Sequence, residues 1–125
     1  MLRAGRALLV RDARMGTHLW FVLTDPDPDR DWVVLVMLVT VKEHTDRTVH
    51  LEVGDHPFIR HSSAVDFGTA KYAPAAKLED ALSSGRATLA EDMSAALLAR
   101  VRAGLLVSGR TSNDVADYCR ALFNP

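Results

Sequence analysis

The sequence predicts an α+β fold, a small antiparallel sheet or barrel with C-terminal helices packed on one side. Stretches rich in aromatic and β-branched residues fill the first half, while helical periodicities fill the second. Strands and helices that segregate along a chain favour α+β over an alternating α/β arrangement. The strand-like stretches also lie too close together for the long crossovers of parallel pairs, so they must pair mostly as hairpins. With 125 residues, 48% of them apolar and 25% charged, the chain fits one ordinary globular domain.

Residues 17–24 (THLWFVLT) read as a strand from their aromatic and β-branched content. The following DPDPDRD must end it, because prolines cannot continue a ladder and aspartates favour turns. Residues 32–41 (WVVLVMLVTV) are apolar at both parities, the mark of a central strand. In RTVHLEV, residues 47–53, Val49, Leu51 and Val53 alternate with Thr48, His50 and Glu52, the period of a half-buried strand. Residues 64–73 put Val65 and Phe67 on one face. The phase then shifts after Gly68 to Ala70 and Tyr72, which predicts a bulge or bend.

Pro74 opens a short helix with Leu78, Ala81 and Leu82 on one face and Gly85 beyond its end. The longest helical pattern covers 88–109, with Thr88 and Glu91 at capping-box spacing and Ser94 as a rival start. Leu97, Leu98, Val101 and Leu105 form its buried stripe. Residues 112–123 close the chain with Val115, Tyr118, Cys119 and Leu122 at helical spacing. Residues 1–16 are expected to be an N-terminal extension, with Met15 as an alternative start, which leaves 17–125 as a single α+β barrel domain.

A formal net charge of −1 argues against broad electrostatic binding of nucleic acid, though not against a local basic site. The longest apolar run is half the roughly 20 residues of a membrane helix, so no membrane association is expected. The apolar core near the N-terminus is shorter than the about 7–15 residues of a secretory signal. The one cysteine, Cys119, has no partner for an internal disulfide, and a reducing cytoplasm is its natural compartment. Its place on an apolar stripe marks it as core rather than nucleophile.

The richest chemistry lies in VGDHPFIRHSSAV, residues 53–65. Phe58 and Ile59 are apolar enough to anchor this loop, which presents Arg60, His61, Ser62 and Ser63 near a strand start. An imidazole can accept a proton from one oxygen and donate to another. An arginine fork stabilises a phosphoryl oxyanion, and a serine hydroxyl can orient it. Together these are the base, acid and charge clamp for cleaving RNA through its own 2′-hydroxyl, with neither metal nor cofactor. The competing reading is a turn whose His, Asp and Ser satisfy nearby backbone groups. A zinc site from His50, Asp55, His56 and His61 is a third, although the spacing matches no zinc signature. Asp25, Asp27 and Asp29 suggest calcium, but Arg30 and Val36 occupy the places of the EF-hand glycine and closing glutamate. Thr40, Lys42 and His44 form a second polar cluster where the central strand emerges. Trp20 and Trp32 read as core or as surfaces on which bases stack, and His18 as an edge residue.

The order of strand, polar loop, very apolar strand, polar loop, alternating strand, HSSAVDFGTAKYA and the helix LLARVRAGLL resembles the PemK/MazF-like toxin superfamily of toxin–antitoxin modules. The resemblance implies a small SH3-like barrel with helices, a homodimer, a cognate antitoxin as partner, and metal-independent cleavage of single-stranded RNA. It aligns Arg30 and Thr40 of DRDWVVLVMLVT with the family's arginine before, and hydroxyl after, an apolar strand. Ser63 matches the serine that leads into a later strand. The site so assembled is Arg30, Thr40, His44, Arg60, His61 and Ser63. The first loop departs from the family in being acidic, with Asp31-Trp32 in place of an Arg-Pro pair. The rival expectation is a non-catalytic barrel that binds a protein partner or nucleic acid in a two-component system.

Overall fold

Apolar residues at both parities of a strand force a sheet to be covered on both faces, and this governs the architecture. The computed structural model describes residues 1–14 and 16–124. Its strands are β1 (Ala7–Asp12), β2 (Gly16–Val22), β3 (Trp32–Thr40), β4 (His50–Leu51), β5 (Ser63–Pro74) and β6 (Ala87–Ala90). The helices are α1 (Ala75–Ser84), α2 (Ala95–Val107) and α3 (Asn113–Phe123). All strand pairs are antiparallel, in one sheet of order β4-β5-β3-β2-β1-β6. The α+β class with a small antiparallel sheet is therefore as expected.

On one face Phe21, Val34, Val36, Val65 and Phe67 meet Leu97, Val101 and Leu105 of α2 and Val115 and Cys119 of α3. On the other, Leu8, Val22, Val33 and Leu35 pack with Ala75, Leu78 and Leu82 of α1. The two C-terminal helices share a side, as expected, and α1 supplies the second layer that β3 demands. Helix α2 starts at the rival cap: Ser94 Oγ accepts the Leu97 N–H at 3.1 Å.

Three expectations need correction. The supposed N-terminal extension holds β1, with Ala7 and Leu8 fully buried between β2 and β6. The segment containing Thr88 is strand rather than helix, because Ala7–Val10 of β1 offers its backbone to Ala87–Ala90. The alternating strand over 47–53 shrinks to His50–Leu51. Asp55 Oδ2 takes the Glu52 N–H at 2.8 Å, and Gly54 turns the chain at φ +106°. Met15, weighed as a start, lies outside the described residues.

The predicted irregularity at Gly68 is present. Leu35 pairs with Lys71 and Met37 with Asp66, so Val36 alone faces residues 67–70. Thr69 repairs the ladder: its Oγ1 accepts the Met37 N–H at 3.0 Å and donates to the Asp66 carbonyl at 2.6 Å.

Helix α2 lies against the bulged strand at Gly104. A Cβ there would collide with Val49 and sit 2.9 Å from Phe67 Cζ, both rigid core groups. We expect Gly104→Ala to lose about 1–3 kcal/mol through overpacking. Gly109→Ala, facing open space, should change stability far less. Urea unfolding of the two variants checks this contrast.

Candidate functional site

Strands β2 and β3 pair only at Trp20↔Met37, Phe21↔Val36 and Val22↔Leu35. Continued in register, Leu19, His18 and Thr17 would face Leu38, Val39 and Thr40. Instead the strands part, and these six residues line an open cavity of about 940 Å³. The loop after β3 brings Lys42 and His44 to its wall, and the loop before β5 brings Phe58, Arg60 and His61. The cavity is thus a fork in the sheet, furnished by the loops that follow it.

The loop before β5 is fixed by His56, which is 3% exposed. Its Nε2–H donates to the Glu91 carbonyl at 2.6 Å, and its Nδ1 accepts the Phe58 N–H at 3.1 Å. Those two bonds define the neutral tautomer. Ile59 plugs into the core, and its N–H reaches the His56 carbonyl at 3.0 Å. Phe58 does not join it as an anchor, remaining 42% exposed at the cavity. Thr40 and Ser63 are directly opposed across β3 and β5. Thr40 is exposed, whereas Ser63 is buried and donates from Oγ to the His61 carbonyl at 3.0 Å.

The loop after β3 is braced from the helical side. Buried Asp46 accepts from Ser108 Oγ at 2.5 Å, Thr48 Oγ1 at 2.7 Å and the Thr48 N–H at 3.0 Å. Burial pushes its carboxyl up, but these bonds and the charge of Arg110 outweigh that and hold it below the ordinary value. Arg110 donates to the His44 carbonyl at 2.7 Å. Among the described residues, nothing pairs with the imidazoles of His44 and His61 or the guanidinium of Arg60. Unspent groups of base and clamp chemistry therefore face one cavity. Lys42, Arg60 and Arg110 are balanced on its wall by Glu43, Asp46 and Asp66.

Arg30 stands apart, at the far end of β3. A strand rise of about 3.3 Å per residue puts Trp32 and Thr40 about 26 Å apart. There the guanidinium lies 5.0 Å from the centre of the Trp32 ring and 3.7 Å from Asp27. Asp27 also accepts the Arg30 and Asp29 N–H groups and the Tyr118 hydroxyl, which together hold its carboxyl below the ordinary value. The acidic loop is an Asp-capped turn docked on α3. Trp32 stacks on Tyr72 at 4.0 Å, and Trp20 lies under Lys71 at 4.9 Å. Neither tryptophan lines the fork.

Three of the four residues weighed as zinc ligands are otherwise engaged, His50 with Glu52, Asp55 with Arg100 and His56 in the core, while His61 faces the cavity apart from them. Among the described residues, no group of three or more His, Cys, Asp or Glu is placed to hold a metal ion. No described helix is long and apolar enough to cross a membrane. Sequence reasoning missed Arg110, whose helix-turn position carries no signal of a partner in the loop after β3. It also missed the place of His18 in the wall.

No protein-family model matches the sequence, and no curated protein is significantly similar to it. Among solved structures the chain is similar to an endoribonuclease in complex with its cognate antitoxin, from a mycobacterial species. The TM-score is 0.56 with 14% identity, over 86% of this chain and 93% of that one. This is a likeness of fold, consistent with the small α+β barrel expected from the sequence.

A carboxyl held below its ordinary value of 3.8 stabilises the fold above that value and loses its effect as pH falls through the lower folded value. Asp46→Asn should therefore cost about 2 kcal/mol at pH 7 and relatively less as the solution is acidified below about pH 4. Denaturant unfolding of both proteins across that range should show the curves converging.

Proposed function

We propose that the chain is a metal-independent endoribonuclease of the PemK/MazF-like toxin kind, acting on single-stranded RNA in the fork of its sheet. The observation that carries this is the convergence of Thr40, His44, Arg60, His61 and Ser63, from the ends of β3 and β5 and the loops beside them, on one open cavity. The fold likeness to a solved endoribonuclease supports it.

In the reaction, one imidazole, His61 or His44, takes the proton of the 2′-hydroxyl as its oxygen attacks the adjacent phosphorus. The P–O5′ bond breaks as the other imidazole protonates the leaving oxygen. The products are a 2′,3′-cyclic phosphate and a 5′-hydroxyl, with no net change in protons. Arg60 offers its fork to the non-bridging oxygens, and Thr40 a hydroxyl. Ser63 acts through the His61 carbonyl and so positions the loop. Arg30, carried over from the family pattern, is left out because Asp27 and Trp32 occupy it.

The solved endoribonuclease is bound to its cognate antitoxin, and an antitoxin that covers the fork is the partner we infer here. A homodimer and a cytoplasmic location complete the assignment; a single buried thiol suits a reducing compartment. The balanced charge of the wall favours a second reading, a barrel that binds RNA or a protein without cutting.

Incubation with mixed RNA in EDTA separates the two. Cleavage should leave cyclic phosphate ends and fall by about 10²–10⁴-fold in His61→Ala or His44→Ala. Arg60→Ala should also be slow, whereas Arg30→Ala should cut close to wild type. Intact RNA at high protein, with the chain folded, would sink the enzyme and leave the binding module.

A further inference from the structure

We infer that the fork contains a nucleobase subsite built on Phe58, which stacks one unpaired base beside the reacting phosphate. This rests on the ribonuclease assignment above and adds to it the group that holds the substrate.

Large apolar side chains in this fold are mostly covered, and Phe58 is covered far less than its neighbour Ile59, at 42% against 3% exposed. The backbone that carries the ring is fixed: the Phe58 N–H donates to Nδ1 of His56, and that imidazole is pinned on its other side by the Glu91 carbonyl. The buried edge of the His56 ring meets Phe21 at 5.8 Å between centroids. A pinned backbone on each side of an open aromatic face lowers the ordering cost of stacking a planar ligand. The ring shares its cavity with Arg60 and His61, two and three residues further on, so a base held there has its phosphate beside both.

The β2 wall of the cavity supplies polar contacts. In an antiparallel ladder, successive residues turn their N–H and C=O to alternate sides. The Val22 N–H bonds the Arg6 carbonyl, so even positions of β2 serve β1 and odd positions turn to β3. Since the β2–β3 rungs end at Trp20↔Met37, Thr17 directs its backbone groups into the fork. Amide groups there can meet the edge of a base whose face lies on Phe58. Trp20 and Trp32, the aromatic residues that the sequence offered for this purpose, are committed elsewhere.

The test uses short unpaired RNA oligonucleotides carrying one 2-aminopurine, moved along the strand, with the full chain in EDTA. One position should be quenched on binding. Phe58→Tyr and Phe58→Trp should keep that quench, while Phe58→Ala and Phe58→Leu should lose it and weaken binding about tenfold or more. Leucine keeps apolar bulk without a π-face, so loss in both variants identifies stacking, and thermal unfolding confirms that each is folded. An unaltered quench and affinity in Phe58→Leu would overturn the subsite and leave the ribonuclease standing. Failure of the wild-type chain to bind or cut any RNA would overturn both.

Discussion

The fold depends on one strand that is dry on both faces. From Val33 to Leu38, β3 has no residue more than 8% exposed. A strand without a polar face has only its backbone to keep polar, and buried N–H and C=O groups need partners on both edges. On the β5 edge the ladder runs its full length, with Thr69 filling the gap that the bulge leaves opposite Val36. On the β2 edge another threonine does similar work. Arg102 Nε donates to the Leu23 carbonyl at 3.0 Å, and Thr24 Oγ1 takes the Val34 N–H at 2.9 Å. The fork opens toward the end where β3 emerges: Leu38, still buried, is the first residue past the last β2 rung, and beyond it Val39 is half-buried and Thr40 exposed. The open cavity lets water or a ligand satisfy the backbone there, so pairing with β2 ends just before burial does.

The walls of the fork are stiff in their backbone and free in their side chains. Arg110 holds the His44 carbonyl and Ser63 Oγ holds the His61 carbonyl, yet both imidazoles are exposed. His56, the buried member of the same loop, spends both ring nitrogens on backbone groups. One residue type is thus used in two ways within six positions. Such a division suits acid–base work, which needs a fixed origin for each side chain and a proton site open to substrate.

Periodicity made much of this legible in the sequence. The two-faced apolar run of β3, the phase shift at Gly68 and the spacing of Val115 and Cys119 are local signals, and each has its expected structure, while the rival cap Ser94 displaces Thr88 as the start of α2. β1 and β6 were hidden because neither has a long pattern of its own, and β6 pairs with the distant β1, from Ala7↔Ala90 to Val10↔Ala87. Val53 continued an alternation that the side chain of Asp55 cuts off, which a period-two count cannot register. The choice between Phe58 and Ile59 as anchor was equally invisible, since hydrophobicity does not say which neighbour a buried histidine will hold outward. In the site, the polar loops flanking β5 were readable from composition, while Arg110 needed the tertiary fold.

Arg30 and Arg60 show why residue type alone does not make a site. Both follow turns rich in polar residues, and both were candidates to clamp a phosphate. At Arg30 an Asp-capped turn delivers a carboxylate and a tryptophan face to the guanidinium, so its charge is already neutralised and its flat face covered. At Arg60 the loop delivers a buried imidazole and an isoleucine to the core, neither of which can pair with a cation, and the guanidinium faces the cavity unspent. A phosphate approaching Arg30 must first displace Asp27, itself held by three further hydrogen bonds. Among the described residues, no side chain pairs with Arg60 and would have to move. The difference in free energy lies in what the rest of the chain has already given each arginine, and for the proposed ribonuclease it favours a clamp at the end of β3 where the sheet divides.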